Sequence, residues 1–494
     1  MDNSIYRLDS ITLRNFWCYG EERQTFRFGK SATVVIGLNG AGKTAFLTAV
    51  RKALSFILST DRRKGMRFLG DGKDVREAGL KVSDVRYNYT YGLVDNDYHY
   101  PVELACEGMV YGAPLHWDYN KPNKRTLIDK QGYRLALDYL LHLYNENPTE
   151  TVLPLLAFFS DSYPHVRNSL TRYERDILVD KQTQIERRAG YYHWDQTSTD
   201  FYFWRDLFIS TLSRLEHKTT GYEQTQNKLR DSHIDSQART QLLRHLEKLE
   251  SARIEVEYVV RYLRKVSETF LTRDNADLAI ENIAIGSYLD DSKKEVFTLL
   301  LEFKDGHRSL FDKLPEGYKR LLAIAFEIVY RFFILNRIHI VRDQRLSPQG
   351  IVIIDELELH LHPTLAQESL IRLMKTFPDL QFIVSTHSPA IVSNIHNDGV
   401  YTKVLRLNPD HSFMELGDFY GADYGDTLVR SMGSYGRLHE LEVLEELYRE
   451  AYYAGDKNNM EQTREELFEF YQPAEQARLW ADAIINRWEH NLQD

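Results

Sequence analysis

The chain has 494 residues, enough for two or three domains of roughly 100–200 residues each. Its composition, 43% hydrophobic, 27% charged and 12% aromatic, is typical of a globular protein, and no window approaches the roughly 18 consecutive apolar residues of a membrane span. Residues 1–4 carry neither a basic nor an apolar signal region, which predicts a cytoplasmic protein. The isolated Cys18 and Cys106 exclude a disulfide framework or a cysteine metal cluster. The net charge of −10 excludes a protein that coats nucleic acid over its whole surface, so DNA contact would be a local basic patch.

The first periodic segments are short strands. Residues 10–17 alternate apolar and polar side chains like a half-buried strand, and residues 24–28 follow with the same period. The short connection between them predicts that they pair as a β-meander.

Residues 33–50 contain the most specific motif of the chain. An apolar strand runs into Gly-x-x-x-x-Gly-Lys-Thr at residues 37–44, and a helix-forming stretch follows, which is the order of a Walker A loop. Its glycines let backbone N–H groups point at phosphates, the Lys43 ammonium reaches the β- and γ-phosphates, and the Thr44 hydroxyl is a ligand for Mg²⁺. The residues predicted to contact the nucleotide are Asn39, Gly40, Ala41, Gly42, Lys43 and Thr44.

The next hundred residues give weaker signals. A basic run at residues 62–67 is typical of a solvated loop, with nucleic-acid binding as the alternative. Tyr- and Val-rich segments at 87–91 and 98–104 predict antiparallel strands. The wholly apolar run at 152–159 predicts a strand buried on both faces.

From about residue 201 to 270 the pattern becomes helical. Apolar positions recur by three and four along the second half, with one arginine among them: Leu246, Leu249, Arg253, Val256, Val260 and Leu263. Roughly three heptads of this kind predict either a short antiparallel coiled hairpin, with the arginine interrupting its seam, or an amphipathic helix packed on its own domain.

Strand pattern returns at residues 295–303, with a hairpin turn at 304–307, and a long helix is predicted from about 318 to 336. The last 60 residues read as two or three helices. Two apolar stripes lie along them, formed by Leu438, Leu441, Leu444 and Leu447 and by Ala477, Trp480, Ile484 and Trp488. Such stripes are either core or an assembly surface.

The second specific motif lies at residues 350–363. Four apolar residues predict a buried parallel strand, and Asp355 and Glu356 stand at its carboxyl end, where ligands collect in open α/β sheets. Asp355 is placed to hold Mg²⁺, and Glu356 to polarise the water that attacks the γ-phosphate.

A third motif follows one helix and one strand later, at residues 381–389. It is again a buried strand with a polar exit, and His387 is placed to donate a hydrogen bond to the γ-phosphate. Lys43, Glu356 and His387 are therefore the predicted catalytic residues, and Thr44 and Asp355 the predicted metal ligands.

These three blocks together resemble the ABC-type ATPase heads of the SMC, RecF and OLD-like group. The separation of 311 in residue number from Thr44 to Asp355 fits that group rather than ABC transporters. The resemblance implies an α/β head with a mixed sheet, P-loop and helices, divided as residues 1–200 (first part of the head), 201–280 (helical insertion), 281–420 (second part of the head) and 421–494 (helical region for assembly or partner binding).

Within this group the short insertion and the helical tail are similar to the ATPase subunits of bacterial anti-phage systems, nearest to the PtuA family of Septu systems, which also occurs with some retrons. That resemblance implies a cytoplasmic ATPase that uses ATP and Mg²⁺ and assembles as a homodimer or higher oligomer through heads and tail. It further implies a separate HNH nuclease subunit, PtuB-like, with DNA contacted through the complex and no membrane.

One segment departs from the pattern of the group. Its heads carry a Leu-Ser-x-Gly signature that contacts the γ-phosphate bound by the opposite subunit, and the stretch that matches it here is residues 314–318. Gly317 is retained and is predicted to act in trans, but Pro315 replaces the serine and has neither a side-chain donor nor an N–H. The loss of one charge-assisted hydrogen bond, about 1.5–3 kcal/mol, predicts slow turnover.

Two other functions remain open from the sequence. One is a RecF-like DNA-repair clamp or loader, and the other is a self-contained nuclease effector. Residues 400–494 contain no Asp-x-Asp of the kind found in Toprim nuclease domains of the OLD group. The pair His360 and His362 could bind zinc, but its position directly after Glu356 favours a subunit-contacting loop.

Overall fold

The computed structural model describes residues 6–58, 80–88, 97–126, 131–146, 150–161, 163–164, 187–194, 201–216, 229, 236–271, 279–432, 439–471 and 476–493. The chain divides into two compact units, Met1–Ala422 and Asp423–Asp494. The predicted segments 1–200, 201–280 and 281–420 all lie in the first unit. The basic run at residues 62–67 lies outside the described residues.

The first unit contains both strands and helices, and several of its strands follow one another directly along the chain. The strands are β1 (Tyr6–Arg14), β2 (Gln24–Arg27), β3 (Ala32–Gly37), β4 (Tyr87–Asn88), β5 (Asp97–Tyr98), β6 (Val102–Val110), β7 (Ala113–Lys121), β8 (Leu155–Phe159), β9 (Ile280–Leu289), β10 (Glu295–Phe303), β11 (Arg308–Leu310), β12 (Gly350–Ile354), β13 (Leu380–Ser385), β14 (Thr402–Leu407) and β15 (Phe413–Glu415). The helices are α1 (Lys43–Leu54), α2 (Gln131–Glu146), α3 (Phe201–Glu216), α4 (Ser236–Leu271), α5 (Glu316–Arg342), α6 (Pro363–Thr376) and α7 (Pro389–Ser393).

The central sheet has the strand order β15-β14-β3-β13-β12-β8. All neighbours are parallel except the edge pair β14 and β15, which makes this a mixed sheet. Strands β3, β8, β12 and β13 are buried along their whole length, as their apolar sequences predict. Because they are parallel, the segments that follow β3, β12 and β13 emerge at one edge of the sheet. The predicted α/β class is confirmed.

A second sheet is antiparallel, with the order β2-β1-β6-β7. The predicted meander is confirmed, since Ser10 pairs with Arg27 and Leu13 with Gln24. The segments predicted as antiparallel strands at 87–91 and 98–104 contain β4 and the end of β5, which pair antiparallel, and the start of β6. Residues 89–91 lie outside the described residues. The third sheet is β11-β10-β9, and its turn at residues 304–307 is the predicted one, with Gly306 at a φ of 85°.

The apolar run at residues 152–159 is only partly a strand, because β8 begins at Leu155. The main-chain N–H and carbonyl of Leu153 are both bound by the side chain of Asn336, at 2.7 and 2.9 Å, so they are not free for the sheet. Asn336 has non-helical torsions inside α5 (φ −128°), and this interruption lies at the predicted end of the helix, which continues to Arg342. The predicted start of the strand and the predicted end of the helix were therefore both wrong. Both lie where the side chain of Asn336 binds the main chain of Leu153.

The helix α4 packs on its own unit over its second half. Apolar residues from Leu249 to Val266 are buried against α5 and α6. Arg253 does not interrupt this face, because its side chain is 61% exposed and lies beside Glu250 and Glu257. Of the two interpretations of the helical pattern, the packed amphipathic helix describes these residues.

The second unit contains the helices α8 (Tyr424–Met432), α9 (His439–Ala454), α10 (Lys457–Phe470) and α11 (Ala477–Gln493). Its small core consists of Leu444, Tyr448, Leu467, Ala481, Ile485 and Trp488. The predicted stripes are core only in part, since Leu447 and Trp480 are each 46% exposed and residue 438 lies outside the described residues.

Candidate functional site

The Walker A loop joins the end of β3 to the first turn of α1. Gly40 and Gly42 have φ angles of 82° and 100°, in the left-handed region that glycine adopts most readily. A Cβ on Gly42 would lie 2.8 Å from the Sγ of Cys18, and the Tyr19 hydroxyl donates to the Gly42 carbonyl at 3.2 Å. The turn between β1 and β2 thus packs directly on the phosphate loop.

Lys43 lies inside this loop and is 7% exposed. Its Nζ donates to the carbonyl oxygens of Gly37 at 2.9 Å and Leu38 at 3.2 Å. Burial lowers the pKa of the ammonium, while Asp355 and Glu356 act in the opposite direction. A bound phosphate group would therefore replace these two carbonyl oxygens as the acceptor of the ammonium's hydrogen bonds.

Asp355 and Thr44 meet although 311 positions separate them. The Thr44 hydroxyl donates to Asp355 Oδ2 at 3.1 Å, and the Ser385 hydroxyl donates to the other carboxylate oxygen. Asp355 is 4% exposed. A hydroxyl and a carboxylate are hard oxygen donors of the kind Mg²⁺ takes beside nucleotide phosphates, so this pair fits a magnesium ion.

Glu356, the neighbouring carboxylate, has a left-handed backbone with a φ of 51°, which costs a non-glycine residue about 1–2 kcal/mol. Two contacts hold it there: its N–H donates to Ser385 Oγ at 2.8 Å, and Arg320 donates to its carbonyl at 3.2 Å. Burial raises the pKa of its carboxyl group, Asp355 raises it further, and His387 lowers it. A raised pKa suits a carboxylate that must accept a proton from water.

His387 follows β13 and lies beside this carboxylate. Its Nε2 is 3.8 Å from Glu356 Oε1. Its main-chain N–H donates to Glu358, whose second carboxylate oxygen accepts from the Thr386 hydroxyl at 2.7 Å. The structure therefore brings all the predicted catalytic and metal-binding residues to one edge of the central sheet.

Arg320, in the first turns of α5, ties that helix to the site. It is 1% exposed. Its guanidinium donates to five carbonyl oxygens, those of Ser160, Asp161, Tyr163, Asp355 and Glu356. Because these carbonyls follow β8 and β12, the arginine joins three elements at the edge of the sheet where the nucleotide motifs lie.

The segment at residues 314–318 begins α5. Pro315 is the residue before its first turn and makes no side-chain capping bond, as its sequence requires. Gly317 is buried, and a Cβ there would lie 2.6 Å from the His360 carbonyl oxygen. Within one chain this glycine therefore permits close contact with the loop after β12. Its predicted contact across subunits stays a prediction.

The two histidines of that loop differ in their surroundings. His362 is the N-cap of α6, and its Nδ1 accepts from the Thr364 N–H at 3.4 Å. His360 is exposed. Within the part of the chain that the structure describes, no group of three or more His, Cys, Asp or Glu side chains is arranged to hold a metal.

Three residues of the site were missed from the sequence: Arg320, Ser385 and Glu358. Ser385 had a signal, since it stands at the end of the strand that leads to His387. Glu358 lies two positions after Glu356, a spacing that would put both side chains on one face of a strand. The chain turns at this point, so the spacing gave no useful signal. Arg320 had none, because a charged residue near the start of a helix is normally solvated.

A phosphate loop, an Asp-Glu pair and a histidine at adjacent strand ends define the P-loop ATPase class. The model of the AAA ATPase domain family matches residues 7–392, and the chain therefore belongs to that family.

Two relatives cover most of the chain. The retron Ec83 probable ATPase of Escherichia coli is 24% identical over 415 residues, 81% of this chain and 72% of that protein. The retron Vc95 probable ATPase of Vibrio cholerae serotype O1 biovar El Tor is 24% identical over 422 residues, 81% and 74% of the two chains. The Septu protein PtuA of Bacillus mycoides (strain KBAB4) is 32% identical over 132 residues, 26% and 18% of the two chains. The predicted resemblance to retron and Septu ATPases is confirmed.

Similar solved structures include the Smc head domain of Pyrococcus furiosus bound to the C-terminal domain of ScpA. It has a TM-score of 0.40 and 12% identity, and the match covers 83% of this chain and 96% of that one. The recombination mediator RecF has a TM-score of 0.35 and 13% identity, with 84% and 100% covered. No described helix has the length and apolar character needed to cross a bilayer.

Proposed function

We propose that the chain hydrolyses ATP slowly and serves as the regulatory and scaffold subunit of an anti-phage defence complex, in which a separate HNH nuclease cleaves DNA. The observation that carries the ATPase part is the convergence of Thr44 with Asp355 and of His387 with Glu356 at one sheet edge.

In this proposal the phosphate loop binds the triphosphate, and Lys43 exchanges its bonds to the Gly37 and Leu38 carbonyls for phosphate oxygens. Mg²⁺, held by Thr44 and Asp355, neutralises phosphate charge when bound. Glu356 accepts a proton from the attacking water, and His387 donates to the γ-phosphate.

The slow rate rests on Pro315. The residue precedes α5 without a donor, so an opposing γ-phosphate would gain no hydrogen bond from it. In this proposal the binding of ATP regulates the complex more than the energy of its hydrolysis drives it. Gly317 keeps its predicted role of contacting the nucleotide of a second subunit.

The defence role is supported by the relatives, which are described as retron ATPases and Septu PtuA. Assembly through the tail is supported by the exposed apolar side chains of the second unit, Leu447, Tyr453, Leu479 and Trp480. Of the 72 acidic and 62 basic residues of the chain, 16 acidic and 7 basic ones lie in residues 423–494, a net −9 of −10. That charge favours a protein partner over nucleic acid on the tail.

The test is co-purification of this chain with the products of its neighbouring genes, with and without Mg-ATP, followed by a DNA cleavage assay. The proposal predicts a complex with an HNH protein, and cleavage that requires it. Strongly salt-dependent duplex binding by the chain alone would instead indicate a DNA clamp. Metal-dependent cleavage by the chain alone would indicate a self-contained effector.

A further inference from the structure

Glu358 forms a bridge between the two loops that carry Glu356 and His387. One carboxylate oxygen accepts from the main-chain N–H of His387, and the other accepts from the Thr386 hydroxyl at 2.7 Å. The same hydroxyl oxygen accepts from the Ser388 N–H at 2.9 Å. A single side chain of the loop after β12 therefore binds two consecutive residues of the loop after β13, and the hydroxyl of the first of them also binds the N–H of Ser388.

The bridge has the strength and position to set where the histidine ring lies. Both contacts to Glu358 are charge-assisted hydrogen bonds, which are about twice as strong as neutral ones. Thr386 is fully buried, whereas the His387 ring is partly exposed and 3.8 Å from Glu356. Since the ring itself has one close polar neighbour among the described contacts, its main-chain anchor limits the directions it can take.

We propose that Glu358 is a positioning residue for ATP hydrolysis, which holds His387 beside Glu356 through the Thr386–His387 main chain without touching the nucleotide. This inference rests on the proposed ATPase function. It assigns the second glutamate of Asp-Glu-Leu-Glu a task distinct from that of the first. Loss of this bridge displaces the histidine, and a displacement of about 1 Å at such a group lowers rates by about 100-fold.

Two substitutions distinguish the effect of the hydrogen bonds of Glu358 from the effect of its negative charge. In Glu358→Gln the amide oxygen can accept from the His387 N–H while the amide NH₂ donates to the Thr386 hydroxyl, so the bridge is retained. In Glu358→Ala both bonds are lost. The matched control is Glu415→Ala on β15, which removes a 41% exposed carboxylate paired with Lys403 at 2.8 Å, outside the site.

Steady-state ATPase assays and crystal structures of the full chain give the test. We expect Glu358→Ala to lower kcat by about 10–100-fold with KM for ATP within about threefold of wild type. Glu358→Gln should recover most of that loss, and only the alanine variant should show His387 Nε2 moved away from Glu356. The inference is overturned if Glu358→Ala has wild-type kcat, if both variants lose activity equally, or if His387 keeps its place in the alanine structure. Failure of the ATPase proposal is separate: wild type and Glu415→Ala would then both be inactive, and the crystal structures alone would decide the role of Glu358.

Discussion

At the scale of single residues, the site shows how a nucleotide-binding loop is prepared before its ligand arrives. The buried ammonium of Lys43 is bound by two loop carbonyls rather than by a carboxylate. Such bonds are weaker than those to phosphate, because only the phosphate carries a full opposite charge. The lysine is therefore ready to exchange partners without a large rearrangement.

Replacement of Lys43 by alanine should abolish this exchange. We expect the affinity for a fluorescent ATP analogue to fall by about 100-fold or more, since charge-assisted bonds to two phosphates are lost at about 1.5–3 kcal/mol each. Lys30→Ala is the control, because Lys30 lies over the Tyr401 ring on the surface and not in the loop. Equal affinities in the two variants would contradict the assignment of Lys43.

Gly317 provides a second test at this scale. Alanine normally stabilises a helix relative to glycine by about 1 kcal/mol, but here its Cβ would lie 2.6 Å from the His360 carbonyl. We expect Gly317→Ala to destabilise the protein by about 1–3 kcal/mol in urea unfolding and to lower kcat more than ATP affinity. Gly417→Ala, with no atom within 4 Å of its Cβ, should be near neutral. A stabilised Gly317→Ala would show that the contact is not tight.

At the scale of elements, α5 is the part that connects the site to the rest of the first unit. Arg320 near its start binds carbonyls beyond β8 and β12. Further along, Arg331 and Glu327 form a fully buried ion pair at 2.6 Å, and Glu327 accepts from the Tyr163 hydroxyl. These contacts connect the first turns of α5 directly to the main chain of Asp355 and Glu356.

Arg320→Lys tests this connection. Lysine keeps the charge but cannot present the guanidinium fork, so several buried carbonyls lose their donors. We expect a loss of at least about 2 kcal/mol in the free energy of unfolding, together with lower kcat. Arg253→Lys, on the exposed face of α4, should change stability by less than about 0.5 kcal/mol. If the two variants were equally stable, Arg320 would not be the link described.

His339, in the last turn of α5, predicts a pH dependence of stability. Burial lowers the pKa of its imidazole and the Arg187 charge lowers it further, while its bond to the Thr151 carbonyl at 3.2 Å opposes them. The unfolded chain then binds more protons than the folded one, so stability falls as pH drops through the ordinary histidine value of about 6.5. His339→Gln should lose less Tm than wild type between pH 7.5 and 5.5. An identical loss would contradict the shift.

The strands and helices could be predicted from the sequence more fully than the contacts between them. The strands that end at Gly37, Ile354 and Ser385 were predictable because each is a short apolar run followed by polar residues of known chemistry. The boundaries of β8 and α5 were not, because Asn336 binds the main chain of Leu153 across the fold. The role of Arg320 could not be predicted either, because it binds carbonyl oxygens of segments that are far away in the sequence.

Across the whole molecule, the two units differ in net charge. Nearly all of the net negative charge lies in residues 423–494, whereas the first unit holds the nucleotide motifs. This division matches a proposed complex in which the first unit binds ATP and the acidic tail binds protein. We therefore expect ATP binding to change the assembly of the complex, and not only to be followed by hydrolysis.

We propose that ATP binds at Lys43 and Asp355 and that Glu356 accepts a proton from the water that cleaves it. The most direct measurement follows radiolabelled ATP on purified Glu356→Gln under single-turnover conditions, with particle mass determined by light scattering. We expect the variant to retain uncleaved ATP and to gain mass as engaged subunits, while Lys43→Ala does neither. Hydrolysis by Glu356→Gln at the wild-type rate, or retention of ATP by Lys43→Ala, would contradict these assignments.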